Sequence, residues 1–210
     1  MILTLIGMSG TGKSYWSKKL EAKGFIRFGC DDLIENHLAK KMNITDIPTF
    51  DIHQWVGYPD QESHTSRADQ YLQAEAEVLH EIIEYLNNSS PEKNIVIDST
   101  GSIIYMQGFI LDSLSRLTKV VYLDITPQDH VSMLNYYLMN PVAIIWNGFF
   151  EPLPHENRQQ TFARCYPKLI RSREQQYRQF AQITIPASFH RNPDTGAQDL
   201  LEFIQAYHHE

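Results

Sequence analysis

Apolar residues along this 210-residue chain alternate between short continuous runs and longer stretches of helical spacing. The short runs are typical of strands buried on both faces, and they fall at 2–6, 25–28, 95–97, 119–123 and 183–185. Helices are predicted at 13–22, 67–87, 127–138, 157–181 and 196–207, with another that begins at Asp31. This alternation predicts an α/β fold, a doubly wound five-stranded parallel sheet with helices on both faces and the first strand near the centre.

Two segments interrupt the pattern and are predicted to be irregular. Residues 43–66 and 139–156 are rich in proline, glycine and polar residues. No internal repeat and no low-complexity linker is visible, so we expect one domain that spans residues 1–210.

The composition excludes several classes of protein. A formal net charge of −7 argues against a general nucleic-acid-binding surface. The chain has no apolar run long enough to span a bilayer and no basic leader before its first apolar run, so no membrane contact is expected. Cys30 and Cys165 are far apart and are expected to be reduced. We therefore expect a cytoplasmic protein, either a monomer or a homodimer.

The strongest motif lies between the first strand and the first helix. Residues 7–14, Gly-Met-Ser-Gly-Thr-Gly-Lys-Ser, match the phosphate-binding pattern G-x-x-x-x-G-K-[ST] at every fixed position. Glycines let backbone N–H groups turn toward a phosphate, and the helix N-terminus adds partial positive charge. Lys13 is predicted to reach the β- and γ-phosphates and Ser14 to ligate Mg²⁺. We predict that ATP and Mg²⁺ are bound by Gly7, Gly10, Thr11, Gly12, Lys13, Ser14 and Tyr15.

A second metal-binding element is predicted at the end of the third strand. Asp98 follows the apolar run 95–97 and precedes Ser-Thr-Gly. In a P-loop protein such an aspartate acts on Mg²⁺, here through a metal-bound water. The alternative is that Asp98 only caps a turn, because Asp before Ser-Thr-Gly is also good turn chemistry.

At this point the chain resembles the shikimate kinase family of small P-loop kinases. Residues 28–35 are similar to the family's F-x-D-x-D-x-x-I-E segment, residues 120–127 to the strand before its lid, and residues 173–177 to its R-x-x-x-Y helix. The resemblance implies that Asp31 binds the acceptor hydroxyl and that Arg173 touches the acceptor. It also implies a lid at about 140–160 and an acceptor-binding region at about 31–85.

The acceptor half of the family pattern is largely rewritten in this chain. Gly29 stands where the family has its first acid, and Leu72 stands where it has an acceptor-binding arginine. The family's T-G-G-G turn reads Thr-Gly-Ser-Ile at 100–103, and its R-P-L-L lid motif reads Glu-Pro-Leu-Pro at 151–154. We therefore expect that the acceptor is not shikimate.

Several residues have a structural alternative to a role in the site. Asp31 is a candidate general base or acceptor ligand, but it is equally a candidate N-cap of the helix that it begins. One or two of Arg158, Arg164, Arg171 and Arg173 are expected to reach the transferring phosphate. Each aromatic or histidine side chain in the irregular segments is a candidate either for the acceptor pocket or for packing alone: His53, Trp55, Tyr58, His64, Trp146, Phe149 and Phe150.

These observations predict an ATP-dependent phosphotransferase that moves the γ-phosphate to a hydroxyl of a small molecule, with Lys13, Asp31 and Arg173 as catalytic residues. Two alternatives stay open. A nucleoside or nucleotide kinase uses the same chemistry on another acceptor, and a regulatory module binds ATP without a small-molecule acceptor. ATP is expected over GTP because no N/T-K-x-D guanine signature is visible in a suitable position.

Overall fold

The computed structural model describes residues 1–44, 50–88 and 93–207. Parts of two predicted segments, namely 45–49 within the segment 43–66 and 208–210 at the C-terminus, lie outside the described residues.

The described strands form one parallel sheet of five, in the order β2-β3-β1-β4-β5. Their bounds are β1 Ile2–Ile6, β2 Ile26–Gly29, β3 Ile95–Asp98, β4 Lys119–Leu123 and β5 Ile183–Ile185. The first strand therefore lies in the middle, as predicted, and the predicted fold class is confirmed. Because all strands run the same way, the loops that follow β1, β2 and β3 meet at one edge of the sheet.

Helices cover both faces of this sheet and give three layers. The helices are α1 Lys13–Glu21, α2 Cys30–Lys41, α3 Ile52–Val56, α4 His64–Asn88, α5 Gly108–Leu117, α6 Pro127–Met139, α7 Arg158–Phe180, α8 Ala187–His190 and α9 Ala197–Ala206. Apolar residues of α1 and α9 pack on one face, where Trp16, Leu20, Leu200 and Ile204 are buried. Apolar residues of α2, α4, α5 and α7 pack on the other face. The strands β1, β3 and β4 read as largely apolar runs because they are buried on both sides, whereas the edge strand β2 is half-buried and carries Arg27.

The structure differs from the sequence analysis of local structure in three places. Helix α2 begins at Cys30, with Gly29 as its N-cap and no side-chain cap, so Asp31 lies in the first turn and does not cap the helix. The segment 43–66, predicted to be irregular, contains α3, whose N-terminal N–H groups donate to the Asp51 carboxylate. The sequence analysis also missed α5, the short helix α8 and a 3-10 turn at Ile103–Tyr105.

Of the lid predicted at about 140–160, residues 140–157 between α6 and α7 contain no helix or strand, and the rest belongs to α7; we call residues 140–157 the lid segment. It is held by an aromatic cluster in which Trp146 and Phe150 of the segment contact Tyr137 of α6 and Phe162 and Tyr166 of α7. Trp146 is only 3% exposed. These aromatic residues therefore attach the segment to the two helices that flank it.

None of the helices in the described part of the chain is both long and apolar enough to cross a membrane.

We expect Trp146→Ala to lower the free energy of unfolding by about 3–5 kcal/mol, the usual loss for a buried large aromatic residue. The matched control is Phe149→Ala in the same segment, because Phe149 is only partly buried at the edge of the cluster. The measurement is urea unfolding of the two variants and the wild type. Equal losses in the two variants would contradict the role given to the aromatic cluster.

Candidate active site

The loop after β1 has the backbone geometry of a phosphate cradle. Gly10 and Gly12 adopt left-handed conformations, with φ of 80° and 97°, which side chains other than glycine rarely adopt. Gly12 is also the N-cap of α1 and leaves that helix without a side-chain cap. The first N–H groups of α1 are thus available to an anion, and the helix dipole favours one there.

Lys13 lies folded against this loop. Its ammonium donates hydrogen bonds to the carbonyl oxygens of Gly7, at 2.9 Å, and Met8, at 3.1 Å. Burial lowers the pKa of Lys13, while the carboxylates of Asp31 and Asp98 act in the opposite direction. Lys13 and both predicted carboxylates are therefore close together. Ser14 and Tyr15 lie at the solvent-exposed start of α1.

Asp98, the last residue of β3, is held by two donors on the same oxygen. The Ser17 hydroxyl donates to Oδ2 at 2.9 Å, and the Arg27 guanidinium donates to it at 2.7 Å. Ser17 lies one turn after Ser14 on α1, and Arg27 lies on β2. Within the described residues no hydrogen bond reaches Oδ1 of Asp98, so this oxygen keeps its lone pairs.

Gly29 explains how Arg27 reaches Asp98. In the parallel pair β2–β3, Gly29 is the register partner of Asp98. A Cβ atom on Gly29 would lie 2.8 Å from Nη2 of Arg27 and 2.9 Å from Oδ2 of Asp32. In the shikimate kinase pattern this position carries the first acid. Here the Arg27 guanidinium lies there instead, and the carboxylate at this edge of the sheet is that of Asp98 on β3.

A cavity opens directly beside the P-loop, and we call it the P-loop cavity. Ser9 and Lys13 form its side toward the phosphate loop, and residues 142–145 of the lid segment cover it. The remaining lining residues come from α2, α3, α4, the turn after β3 and α7, namely Asp31, Ile52, His53, Val56, Tyr71, Gly101, Ser102 and Arg173. The three residues predicted to be catalytic, Lys13, Asp31 and Arg173, thus line one cavity.

Asp31 presents its carboxylate to this cavity without a side-chain ion pair in the described residues. Partial removal from water raises the pKa of Asp31, an effect that Lys13 opposes and Asp98 reinforces. The His53 side chain is close enough to contribute as well. Because Asp31 does not cap α2, its carboxylate oxygens are available to a molecule in the cavity.

Arg173 is buried on the opposite side of the cavity. Its Nη2 donates to the carbonyl oxygen of Ile145 at 2.5 Å, and its Nε donates to the Tyr105 hydroxyl at 3.0 Å. Its Nη1 lies beside Gly101, whose carbonyl oxygen accepts a hydrogen bond from the Tyr177 hydroxyl. Arg173 therefore joins α7, the lid segment and the turn after β3.

The other arginines considered from the sequence are engaged elsewhere. Arg164 pairs with Glu156 and with the carbonyl oxygen of Glu151. Arg158 pairs with Asp60 and stacks on Tyr58. Arg171 lies on the solvent-exposed side of α7. Of the four arginines, only Arg173 lines the P-loop cavity.

Most of the aromatic and histidine candidates also lie away from the P-loop cavity. Only His53 among them lines the P-loop cavity. Tyr58 donates to the carbonyl oxygen of Pro141, and His64 contacts the carbonyl oxygen of Gly57. Trp55 packs against Phe50. Trp146 and Phe150 line a second cavity with Leu72 and His64, on the other side of Ile145. Leu72 therefore faces a different cavity from Arg173.

The sequence analysis gave no role to Glu75, a buried carboxyl group behind the P-loop cavity. Glu75 is 1% exposed and accepts hydrogen bonds from the hydroxyls of Thr100 and Ser102, the latter at 2.6 Å. Burial raises the pKa of Glu75 to about 7, although both hydroxyl donors act to lower it. A charged residue on the apolar face of α4, beside Ala74 and Leu79, was the sequence signal that marked it.

Comparison with solved structures finds shikimate kinases. The shikimate kinase from Acinetobacter baumannii, in complex with shikimate, is 21% identical, with 98% of this chain and 93% of that chain covered and a TM-score of 0.57. The enzyme from Bacteroides thetaiotaomicron is 17% identical, with 98% of each chain covered and a TM-score of 0.59. The enzyme from Aquifex aeolicus is 14% identical, with 98% and 96% covered and a TM-score of 0.54.

These likenesses establish the fold. The chain has the P-loop fold of the shikimate kinases over nearly its whole length, and the resemblance predicted from its motifs is confirmed at that level. No protein-family model matches the chain, and no curated protein matches it by sequence.

The residues beside the P-loop are suited to a nucleotide phosphate with a divalent cation. The left-handed glycines, the uncapped N-terminus of α1 and the Lys13 ammonium provide donors for phosphate oxygens. In the described residues no group of three His, Cys, Asp or Glu side chains forms a metal site of its own. A cation here would depend on Ser14, Asp98 and phosphate oxygens together, which is the usual way in which proteins hold Mg²⁺.

The raised pKa of Glu75 predicts that the unfolding free energy of the protein depends on pH. Its folded pKa of about 7 lies above its ordinary value of 4.5, so the folded protein loses stability relative to the unfolded chain as the pH rises between these values. From pH 4 to pH 8 we expect the wild type to lose about 3 kcal/mol of unfolding free energy relative to the variant Glu75→Gln. A pKa difference of one corresponds to about 1.4 kcal/mol.

Denaturant unfolding across this pH range measures the effect, and Glu81→Gln, on the exposed side of the same helix, is the control. A difference between Glu75→Gln and the wild type that does not change with pH would rule out a raised pKa at Glu75.

Proposed function

We propose that this protein is an ATP-dependent kinase that transfers the γ-phosphate to a hydroxyl group of a small molecule. The observation that carries the proposal is the P-loop cavity, which is lined at once by Lys13 of the phosphate loop, the free carboxylate of Asp31 and the buried guanidinium of Arg173. A kinase needs little more than alignment of the two substrates and stabilisation of the charge on the transferred group.

Each of these residues has a defined task under the proposal. Lys13 exchanges its contacts with loop carbonyls for the β- and γ-phosphates. Asp31 orients the acceptor hydroxyl and accepts its proton, for which its raised pKa is suitable. Arg173 stabilises the charge on the transferring phosphoryl group, because a preorganised buried guanidinium acts more strongly there than in water.

The Mg²⁺ site under the proposal consists of Ser14, Asp98 and the phosphates. When bound, Mg²⁺ supplies positive charge that neutralises the phosphate oxygens. The chain contributes the Ser14 hydroxyl at the start of α1 and the free Oδ1 of Asp98, whose other oxygen is fixed by Ser17 and Arg27. Because only one oxygen of Asp98 is bonded in the part of the chain that the structure describes, the other is free to accept from a metal-bound water. This supports the metal role of Asp98 over that of a turn cap.

The residues that cover the P-loop cavity favour an enzyme over a regulatory module. Residues 142–145 lie over the cavity and are tied to it by the bond from Arg173 to the carbonyl oxygen of Ile145. A cover of this kind excludes water from an acceptor, which a module that only senses ATP does not need. We propose that the segment 140–157 opens and closes as a lid.

Screening hydroxylated metabolites for stimulated ATP consumption separates the two functions. A kinase consumes ATP in proportion to its acceptor, whereas a regulatory module hydrolyses ATP slowly and is indifferent to small molecules. Stimulation by a nucleoside or nucleotide alone would select the nucleoside or nucleotide kinase alternative.

We expect Lys13→Ala to bind MgATP weakly and to lose about 2–4 kcal/mol of transition-state stabilisation, judged from the loss of single oxyanion donors in other enzymes. The methyl group cannot replace the charge-assisted contact to the phosphates. Titration with a fluorescent ATP analogue measures binding, and Lys18→Ala, exposed on the same helix, is the control. Unchanged MgATP binding in Lys13→Ala would refute the role assigned to this lysine.

We expect little or no phosphorylation of shikimate. A bound carboxylate needs cationic partners, and Leu72 stands in place of one of the family's acceptor-binding arginines, while the remaining Arg173 is assigned to the phosphoryl group. Arg173 bonds to Ile145 and Tyr105, and Arg67 donates to the carbonyl oxygen of Trp55. A coupled assay with millimolar shikimate, ATP and Mg²⁺ is the measurement. A kcat of tens per second with a submillimolar KM, ordinary values for a natural substrate, would show that this reasoning is wrong.

A further inference from the structure

The hydrogen bonds of Glu75 determine the polarity of the P-loop cavity, and this bears on the acceptor of the proposed kinase. Thr100 and Ser102 lie in the turn that follows β3, and each places its hydroxyl on a different oxygen of the Glu75 carboxyl group. The backbone N–H of Ser102 in turn donates to the Thr100 hydroxyl oxygen at 3.0 Å. The turn and helix α4 are thus joined by one buried carboxyl group.

An ionised carboxylate has no proton to give, so both hydroxyls must donate to it. Each hydroxyl has a single proton, and once that proton points to Glu75 the oxygen offers only lone pairs in other directions. The phenol of Tyr71, one turn before Glu75 on α4, also interacts with the Ser102 hydroxyl. Tyr71 therefore stands beside the same hydroxyl on the cavity wall.

Two of the groups that line this side of the cavity are therefore hydrogen-bond acceptors. Ser102 and the Asp31 carboxylate both line the cavity, and neither has a proton left to donate into it. The donors on the other side face the phosphate under the proposed function: Lys13 takes the β- and γ-phosphates, and the N–H groups of Arg173 that do not bond to Ile145 and Tyr105 stabilise the phosphoryl group. His53 can take either role.

The charges around the cavity act in the same direction. A neighbouring cavity shares Asp31, His53 and Tyr71 with the P-loop cavity, and the carboxylates of Asp32, Glu35 and Asp51 also line it. Asp32 is 3.6 Å from the Arg27 guanidinium, and Asp51 accepts from the N–H groups of α3. The approach to the acceptor side is thus rich in negative charge, which repels an anion and favours a cation.

We infer that the phosphate acceptor is an alcohol that presents donor groups to this cavity, either further hydroxyls or an ammonium, and that it carries no carboxylate or phosphate. Glu75 is the positioning residue that sets this preference, because it orients the hydroxyl of Ser102. The inference rests on the proposed kinase function. The acceptor oxygens of Ser102 and Asp31 leave an anionic group beside them without partners, and unpaired buried groups are a strong basis for rejection.

Two residues near Glu75 differ from the family pattern in a way that agrees with this inference. Leu72 stands three residues before Glu75 on α4, where an arginine would lie beside the carboxylate on the helix surface. Ser102 stands where the family's turn has a glycine, and its hydroxyl donates a hydrogen bond to Glu75. Relative to the family pattern, an arginine is missing beside Glu75 and a neutral hydroxyl donor is present. The Glu75 carboxylate is therefore bonded to the turn after β3.

The test compares acceptors that share one carbon frame and differ in charge. Glucose, glucosamine and gluconate form one such set, and glycerol, 3-amino-1,2-propanediol and glycerate form another. Each set is assayed for stimulated ATP consumption at pH 8.5, where Glu75 is ionised. We expect stimulation by the neutral or cationic members and none by the carboxylates. Preferred stimulation by a carboxylate overturns the inference while it leaves the kinase function standing.

The variant Glu75→Gln tests the positioning role. Its amide can donate to one hydroxyl, which frees that hydroxyl proton to point into the cavity. We expect the KM for the best neutral or cationic acceptor to rise about tenfold, the effect of one lost or reversed hydrogen bond, with a smaller change in kcat and no change in MgATP affinity. Ser102→Ala, which removes the oxygen itself, is expected to raise the same KM, and Glu81→Gln is the matched control.

The outcomes separate the two levels of the proposal. A wild-type protein that fails to bind MgATP, or that responds to none of the compounds, overturns the kinase function and the inference with it. Normal acceptor KM values in both Glu75→Gln and Ser102→Ala overturn only the inference. Equal losses of MgATP and acceptor affinity in Glu75→Gln would reveal a merely structural role and would also overturn it.

Discussion

The central position of β1 in a fully parallel sheet is the constraint on which the site depends. Because β3 and β4 pair with β1 on either side, the P-loop leaves the middle of the sheet, and the loops that follow β2 and β3 lie beside it. Burial of both faces is what holds these strands in order. The carboxyl ends of β1, β2 and β3 therefore deliver Lys13, Asp31 and Asp98 to one place, although they are far apart in the sequence.

This convergence brings several charged groups together, and two of the carboxylates lie near a cation. Asp98 is paired with Arg27, and Lys13 lies near Asp31. Among the described residues Glu75 has no cation in direct contact and is satisfied by two hydroxyls, and its burial raises its pKa to about 7 although both hydroxyls act to lower it. Buried charges without partners are costly, so each of these arrangements restricts which further charge a ligand can bring.

The sequence predicted those parts of the molecule whose signal is local. The five strands are continuous apolar runs, and the P-loop is one contiguous motif, so both could be read directly. Contacts between distant residues could not be predicted in this way. Arg27 and Asp98 are 71 residues apart, and Arg173 and Ile145 are 28 apart. The short helix α3 was missed because its start depends on the Asp51 cap more than on apolar spacing.

The departures from the shikimate kinase pattern are easier to understand as linked changes than as losses. Gly29 lacks the carboxylate expected there, yet its missing side chain is what admits the Arg27 guanidinium to Asp98. Leu72 lacks the guanidinium expected there, yet Glu75 beside it is satisfied by Ser102, a residue that is itself a departure. In the first case a guanidinium of β2 lies against Asp98, and in the second a neutral hydroxyl donates to Glu75. A site that had merely decayed would leave Asp98 and Glu75 unpaired, and a buried unpaired carboxylate would destabilise the fold. Both carboxylates keep hydrogen-bond donors, which argues against a site that has merely decayed.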